Sequence, residues 1–305
     1  MLSFLIRRCA YGVVVLWAVA TLTFILLRVT PGGPFDRERR LPPRVLANIE
    51  AKYQLDQPWP TQYGLYLRGL LRGDLGPSYK YLNRSVNDVV RQTLPISAKL
   101  GLAALLFAVL VAFPLGIIAG YYRDTWLDRS SLLLTTLGFS VPNFILAAGL
   151  IWVFALQLAW LPAGGWGLPT NVLLPAITLG SAPAAYLAYL IRSSIVESMG
   201  EDFIQTARAK GLTERSVVLK HAALNSLNPV LTVMGPLLAT LVTGSFVVEY
   251  VFAIPGMGRF FITAVTDRDY PTIMGVTLIY TGFVVVANLV VDLCYSLTDP
   301  RVRTN

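Results

Sequence analysis

The chain has 305 residues, of which 55% are hydrophobic and only 14% are charged. A soluble domain of this size carries charge on about 25% of its residues, so the composition excludes an ordinary soluble protein. The net charge of +8 does not indicate nucleic-acid binding, because Lys and Arg cluster at the ends of apolar runs. We therefore predict an integral membrane protein that contacts lipid and binds no nucleic acid.

Residues that commonly carry chemistry are scarce in this sequence. It contains one His and two Cys and has no cluster of Cys, His and carboxylates, so no metal site is predicted. The motifs G-x-x-x-x-G-K-[ST], G-x-S-x-G and H-E-x-x-H do not occur. We therefore expect no catalytic, cofactor-binding or metal-binding residues in this chain.

Six apolar runs are each long enough to cross about 30 Å of hydrocarbon as a helix, which takes about 20 residues. We place them at residues 9–27, 98–120, 132–156, 172–195, 230–252 and 273–297. The first follows two arginines, as in a signal peptide, but it is too long for one and no A-x-A cleavage site follows. The predicted fold is therefore an all-α membrane protein with six transmembrane helices.

Basic residues in the short loops predict the orientation of these helices, because such loops stay in the cytoplasm. The loops 121–129 and 196–229 and the tail 300–305 are basic, and they fall on the same side as the N-terminal arginines. Both termini are therefore expected in the cytoplasm. The segment 29–97 is long enough to escape this rule, and we expect it in the periplasm.

The periplasmic segment is expected to fold into small helices. Residues 41–53 and 59–71 have helical spacing of apolar residues, and 74–77 has the composition of a turn. The predicted organisation is an N-terminus with the first helix, a periplasmic segment, a core of five helices containing one long polar loop, and a tail. These parts span residues 1–28, 29–97, 98–299 with the loop at 196–229, and 300–305.

The polar segment 201–229 differs from the rest of the core because apolar runs flank it on both sides. Ser198 and Glu201 have the spacing of a capping box, which predicts that a helix begins near Ser198. Gly211 suits the left-handed conformation that ends a helix, and Thr213 suits the cap of a second helix. Composition leaves two interpretations open: a hairpin lying at the lipid interface, or a compact docking element.

Several stretches of the sequence resemble one family of membrane proteins. TARAKGL at 206–212, followed by HAALN at 221–225, resembles the cytoplasmic loop of ABC-importer permeases, in particular the B-type subunits of oligopeptide and dipeptide (peptide/nickel) importers. Further similar stretches are GDLGPSYKYLNRSVNDVV at 73–90, IPGMG at 254–258 and DRDY at 267–270. The resemblance covers nearly the whole chain and implies the type I ABC-importer permease fold.

In that family the loop contains E-A-A, then three residues, then Gly. Gln205, Thr206 and Ala207 stand where E-A-A would, and Gly211 matches the glycine, so a contact by a glutamate at position 205 is not expected. The resemblance implies that the loop couples the permease to an ATPase. The coupling residues it assigns are Gln205, Thr206, Ala207, Arg208, Ala209, Lys210, Gly211 and Leu212.

The resemblance also implies partners and a location. A second, C-type permease subunit would complete the pathway, and one or two ABC ATPase subunits would bind ATP and Mg, which this chain does not. A periplasmic or lipid-anchored peptide-binding protein would deliver cargo. The chain would be a multi-pass protein of the cytoplasmic (inner) membrane of a bacterium, and it would not be an enzyme.

Helix-breaking residues and polar side chains within the spans suggest where a pathway would lie. Gly and Pro concentrate at 138–142 and 180–183, where exposed backbone carbonyls would line a wet cavity. The candidate lining residues are Ser140, Pro142, Asn143, Ser181, Pro183, Tyr186 and Tyr189. In the last loop between spans, the candidate contacts of a binding protein are Pro255, Gly256, Met257 and Gly258.

Two other classes of function stay open on the sequence alone. An ion-coupled secondary carrier would typically place carboxylates near the midplane, whereas Glu249 and Asp292 lie near helix ends, where we expect structural hydrogen bonding. A membrane-embedded enzyme or sensor would need clustered catalytic groups, and none is visible. Within the family, the cargo could be oligopeptides, dipeptides, nickel chelates, glutathione or murein peptides.

Overall fold

The computed structural model describes residues 2–35, 43–81 and 83–298, and these are mostly helical. In chain order the α-helices are α1 (Leu2–Val29), α2 (Pro43–Lys52), α3 (Trp59–Leu71), α4 (Val86–Tyr121), α5 (Trp126–Ser140), α6 (Asn143–Leu150), α7 (Leu173–Met199), α8 (Asp202–Ala209), α9 (Glu214–Ser216), α10 (Ala223–Val242), α11 (Phe246–Val251), α12 (Met257–Asp267) and α13 (Tyr270–Thr298). A π-helical segment, Ile151–Gln157, continues α6, and a second one, Val217–Ala222, joins α9 to α10. The predicted cytoplasmic tail 300–305 lies outside the described residues.

The membrane-crossing elements agree with the sequence analysis in number but not in every shape. Within the described part of the chain, five helices are long and apolar enough to cross a membrane, and a sixth candidate is a bent pair. Its arms are 126–140 and 143–157, and the angle between them is 106°. A single continuous helix over residues 132–156 is therefore wrong.

The bend follows from the dipeptide Val141-Pro142. Proline has no backbone N–H to donate, and it disfavours the helical conformation in the residue before it. Val141 accordingly has φ −82° and ψ 117°, which is extended backbone, and α5 ends at Ser140. Pro142 then stands at the N-cap of α6.

The predicted span 230–252 consists of two helices with different bounds. The first, α10, begins at Ala223 because it continues the preceding π-helical segment without a break. It ends before Gly244, whose φ of +93° is readily accessible only to glycine. Ser245 then caps α11, because its Oγ accepts a hydrogen bond of 3.3 Å from the backbone N–H of Val248.

Small residues bring α4 and α7 into close contact at the centre of the bundle. Buried Ala and Gly recur every four residues on α4, at Ala104, Ala108, Ala112, Gly116 and Gly120. A Cβ added at Gly116 would lie 2.6 Å from the Cβ of Ile191, so this approach of the two helices requires glycine. Helices in a membrane associate largely through such close packing, which makes this stripe the core of the fold.

Helix α4 is long enough to run from one end of the molecule to the other. Its 36 residues form a helix of about 54 Å. At its first turn the backbone N–H of Val86 donates to the carbonyl oxygen of Gly76 over 2.9 Å, which joins α4 to the segment that follows α3. Its last turn lies beside Arg215 and Leu219. We refer to these as the α3 end and the α8 end of the molecule.

Candidate coupling site and its structural supports

Helix α8 lies near the last turn of α4 and packs one face on the helix bundle. Ile204 and Ala207, three residues apart on that face, are buried in the same apolar cluster as Ile191 and Ile195 of α7. Phe203 and Thr206 are exposed on the rest of the surface. The helix therefore has a fixed orientation and presents its other faces outward.

The segment after α8 turns sharply, as the sequence predicted. Gly211 has φ +78°, and a Cβ built on it would meet no atom within 4 Å, so the requirement for glycine comes from the backbone conformation alone. The turn is closed by the backbone N–H of Gly211, which donates to the carbonyl of Arg208 over 2.9 Å. The predicted left-handed glycine is confirmed.

An ion pair on the surface of the loop spans this turn. Arg208 Nε lies 2.7 Å from Glu214 Oε1, and Arg208 Nη2 lies 3.2 Å from Glu214 Oε2. The hydrogen-bonded Glu214 carboxylate raises the pKa of Arg208. The Arg208 guanidinium is therefore already paired within the loop, although Arg208 and Lys210 are both exposed.

The predicted start of the first loop helix is wrong. No helix begins at Ser198, because α7 extends through it to Met199, and the N-cap of α8 is Glu201. The predicted second helix begins where expected, since Thr213 is the N-cap of α9, and helical backbone then continues from Glu214 through the π-helical segment into α10. The loop is therefore joined directly to a membrane-crossing helix at each end.

A buried ion pair fixes α7 to α5 near the same end of the bundle. Arg192 Nε lies 2.6 Å from Asp128 Oδ1, and Arg192 Nη2 lies 2.8 Å from Asp128 Oδ2, which is a two-pronged contact. Asp128 is only 2% exposed, and its Oδ2 also accepts from the backbone N–H of Asp124 over 2.9 Å. Sequence reasoning missed this pair, since 64 positions separate the partners.

The candidate pathway residues fall into two neighbouring groups. Ser140 and Pro142 are exposed at the bend after α5, with Asn143 half-buried beside them. Ser181, Pro183 and Tyr186 are half-buried and Tyr189 is exposed, all on α7. The groups are adjacent, because the rings of Phe139 and Tyr186 meet with centroids 6.4 Å apart. Their role in a pathway stays a prediction.

Within the 180–183 cluster the backbone is not interrupted. Helix α7 continues through Pro183, and Gly180 is buried. A Cβ at Gly180 would lie 2.9 Å from Phe107 of α4, so this glycine serves helix packing. Because Pro183 has no N–H, the carbonyl of Leu179 still lacks its helical donor, and the expectation of exposed carbonyls at 180–183 stays a prediction.

The four candidate contacts of a binding protein are largely enclosed. Gly256, Met257 and Gly258 are buried, and Pro255 is half-buried. They lie at the start of α12, whose first turn faces the carboxylate of Glu249. In this conformation the side chain of Met257 does not reach the surface, so its direct contact with an external protein is not supported.

Glu249 is fully buried and is surrounded by hydrogen-bond donors. Its Oε1 accepts from Ser97 Oγ over 2.7 Å, and its Oε2 accepts from the backbone N–H groups of Gly258 and Arg259 over 2.8 and 3.2 Å. Ser97 Oγ in turn accepts from the backbone N–H of Met257 over 2.8 Å. The expected structural role of Glu249 is confirmed, while the side chain of Asp292 lies outside those described.

A second buried carboxylate anchors the segment after α3 to the bundle. Asp269 Oδ1 accepts from the backbone N–H of Tyr79 over 3.0 Å, and its Oδ2 accepts from the hydroxyls of Ser78 and Thr272. Burial raises the pKa of Tyr79 to about 12. The DRDY stretch at 267–270 therefore joins the α3 end to the start of α13, a role that the motif itself did not reveal.

Comparison with known proteins places the chain among transport components. A family described as "Binding-protein-dependent transport system inner membrane component" matches residues 112–304, and the N-terminal family that accompanies it matches residues 1–101. The chain is 44% identical to the dipeptide transport system permease DppB of Bacillus subtilis, covering 99% of this chain and 98% of that one. It is 42% identical to the oligopeptide transport system permease OppB of Salmonella typhimurium, covering 99% and 100%.

Among solved structures, the chain is similar to one from the MetNI methionine ABC transporter in an inward-facing conformation. The TM-score is 0.54 at 17% identity, and the match covers 69% of this chain and 96% of that chain. At this identity the similarity supports the fold alone, which is that of an ABC-importer permease.

Proposed function

Since the chain belongs to the family of binding-protein-dependent transport system inner membrane components, we propose that it passes oligopeptides or dipeptides through a bacterial inner membrane. The family and the permease fold make it a multi-pass membrane component of an ABC importer. The peptide cargo is proposed because relatives of nearly equal length carry dipeptide or oligopeptide transport in their names.

The observation that carries the proposal is the exposed loop helix α8, which packs on the bundle and is joined by short connections to two membrane-crossing helices. Ile204 and Ala207 hold α8 on the bundle, α7 enters the loop, and the helical path into α10 leaves it. A force applied to α8 is therefore transmitted to both helices, which is what an ATP-driven change of access requires. We assign the α8 end to the cytoplasm on this ground.

The proposed assembly supplies what this chain lacks. One or two ABC ATPase subunits bind ATP and Mg and dock on the exposed face of α8, while this chain hydrolyses nothing. A second, C-type permease completes the pathway, and a peptide-binding protein delivers cargo at the α3 end. The enclosed position of Met257 favours the exposed surface of the α3 end over the 255–258 turn as the place where that protein docks.

The experiment is purification in mild detergent followed by reconstitution in liposomes. Mass spectrometry of the purified material should identify a second permease, P-loop ATPases and a binding protein, and the liposomes should take up labelled di- and oligopeptides only with ATP. Uptake driven by an ion gradient without any ATPase would overturn the importer. If the complex assembles normally but takes up nickel chelates, glutathione or murein peptides in place of simple peptides, only the proposed cargo would be wrong.

A further inference from the structure

A cleft of about 490 Å³ opens at the α3 end of the molecule. It lies between the last turns of α1, the helix α3, the segment 72–79 and the start of α13. One wall is apolar and contains Phe24, Leu65 and Met274. None of its lining residues belongs to the coupling loop or to the candidate pathway residues, so neither of these sites accounts for it.

The charge in this cleft is strongly unbalanced. Its lining contains the four basic residues Arg28, Lys52, Arg68 and Arg72, and one acidic residue, Asp74. The Asp74 carboxylate is engaged locally, since Oδ1 accepts from the backbone N–H of Gly76 over 2.9 Å. Within the described part of the chain, none of the four basic residues forms an ion pair with Asp74. Among the described lining residues, positive charge therefore exceeds negative charge, which suits an anion.

One of these cations is held in a fixed position. Arg28 Nη2 donates to Gln62 Oε1 over 2.6 Å, and its guanidinium carbon lies 3.5 Å from the centroid of the Phe24 ring. This orientation is independent of any acidic partner. A planar guanidinium fixed in this way is suited to phosphate, which it binds with two parallel hydrogen bonds.

An unpaired hydroxyl lines the same cleft. Tyr66 Oη is buried and has no hydrogen-bond partner among the described residues. Buried polar groups are almost always hydrogen-bonded, because leaving one unpaired destabilises the fold. A ligand with acceptor oxygens in this cleft would satisfy the hydroxyl, which is an observation independent of the charges.

The position of the cleft selects the kind of anion. Arg28 lies in the last turn of the apolar helix α1, where a hydrocarbon span meets the headgroup layer. On α1 the side chains of Leu22 and Leu26 are exposed, so part of this helix faces lipid. An anion that brings its own acyl chains fits both the basic lining and this apolar surface.

We propose that this cleft binds the headgroup phosphate of an anionic phospholipid from the leaflet at the α3 end. The phosphate lies among the guanidinium groups and accepts a hydrogen bond from Tyr66, and the acyl chains lie along α1. The bound lipid thereby fastens α3 to α1, which has the smallest buried share among the five continuous membrane-crossing helices that the structure describes.

The test uses the full chain with the partners that co-purify, after removal of native lipid. Water-soluble dioctanoyl phosphatidylglycerol is titrated by isothermal calorimetry, with dioctanoyl phosphatidylcholine and inorganic phosphate as comparison probes. Each of Arg68→Gln and Arg72→Gln should weaken phosphatidylglycerol binding about tenfold, since each removes a charge-assisted hydrogen bond. Both side chains are exposed, so the variants should fold normally.

Two further variants separate the proposal from its alternatives. Arg91→Gln removes an equal charge from an exposed residue on α4 outside the cleft and should leave the affinity unchanged. Tyr66→Phe should weaken binding, yet raise the thermal stability of the lipid-free protein by removing an unpaired buried hydroxyl. Unchanged affinity in all three cleft variants overturns the proposal. Equal binding of phosphatidylcholine, or inorganic phosphate as tight as the lipid, also overturns it, because the site would then not select an anionic lipid.

Discussion

Ser97 on α4 and Glu249 on α11 lie 152 positions apart in the chain, and a hydrogen bond of 2.7 Å joins Ser97 Oγ to Glu249 Oε1. The same carboxylate accepts hydrogen bonds from backbone N–H groups in the first turn of α12, where the helix dipole favours a negative charge. One buried side chain therefore connects three helices. A Cβ on Gly258 would lie only 3.1 Å from its Oε2, so the glycine permits this approach.

We expect Glu249→Ala to lower the free energy of unfolding by about 3 kcal/mol, because it leaves the hydroxyl and N–H donors buried and unpaired. Glu249→Gln keeps one acceptor oxygen and should cost about 1–2 kcal/mol. The measurement is unfolding in mixed detergent micelles. Glu197→Gln, at an exposed position on α7, is the control and should change the value by under about 0.5 kcal/mol. Similar values for Glu249→Ala and the control would contradict the network.

The left-handed turn at Gly211, which we call the elbow, gives a prediction about coupling. A β-branched residue at φ +78° is strained by at least about 1–2 kcal/mol, so Gly211→Val should change the direction in which the chain leaves α8. Peptide uptake per ATP hydrolysed should fall about tenfold, since 1.4 kcal/mol corresponds to that factor. Uptake and hydrolysis are measured together in liposomes.

The matched control is Gly200→Val at the other end of α8. Gly200 has φ −86°, which any residue adopts, and a Cβ there would lie 3.4 Å from the carbonyl oxygen of Glu197, an ordinary contact. It should keep normal coupling. Equal uptake per ATP in both variants, at equal abundance in the membrane, would show that the left-handed elbow is not needed.

The pair Asp128–Arg192 should contribute far more to stability than an exposed pair nearby. Arg192→Gln leaves the buried Asp128 carboxylate uncompensated and should cost about 3 kcal/mol, while Asp128→Asn leaves only the half-buried Arg192 without its partner and should cost less. The double variant should cost less than the sum, which a double-mutant cycle measures. The exposed pair Arg123–Asp124, at 3.3 Å, is the control and should show a coupling under about 1 kcal/mol. Additive effects at the buried pair would rule out direct coupling.

Asp269 should hold the segment after α3 against the bundle. Asp269→Asn replaces one acceptor oxygen by an amide, so either Tyr79 N–H or the hydroxyls of Ser78 and Thr272 lose their acceptor. We expect amide hydrogen exchange at 78–81 to become about tenfold faster, as a loss near 1.4 kcal/mol implies. Asp267→Asn, at the end of α12 and two residues before Asp269, is the control. Exchange at 78–81 that is equally slow in both variants would contradict the anchor.

Local signals in the sequence predicted the elements well where one residue determines the backbone. Gly211 was recognisable because few other residues adopt its conformation, and the apolar runs gave the number of spans. The bend at Pro142 occurs within a stretch rich in helix breakers, yet its angle of 106° depends on packing that the sequence does not specify. The helix start at Ser198 was wrong because packing of α7 on α4 extends the helix beyond the local capping signal.

Contacts between distant residues could not be predicted from spacing. Ser97, Asp128 and Asp269 have ordinary local sequence, and their partners come from distant parts of the chain. One sequence signal could have predicted the hydrogen bonds of Glu249: its carboxylate stands in an apolar run and is followed closely by Gly256 and Gly258. A buried carboxylate needs hydrogen-bond donors, and small residues let backbone donors come close to it. The repeat of Ala and Gly every four residues on α4 was a second signal.

We propose that the exposed face of α8 docks on an ATPase. This docking is tested most directly by thiol crosslinking from two adjacent positions of that helix, after the native Cys9 and Cys294 have been replaced by Ser. Thr206→Cys is exposed and should crosslink to a P-loop ATPase in native membranes, whereas Ala207→Cys is buried against the bundle and should not. Equal crosslinking from both positions, or none to an ATPase from Thr206→Cys in a complex active in transport, would contradict the account.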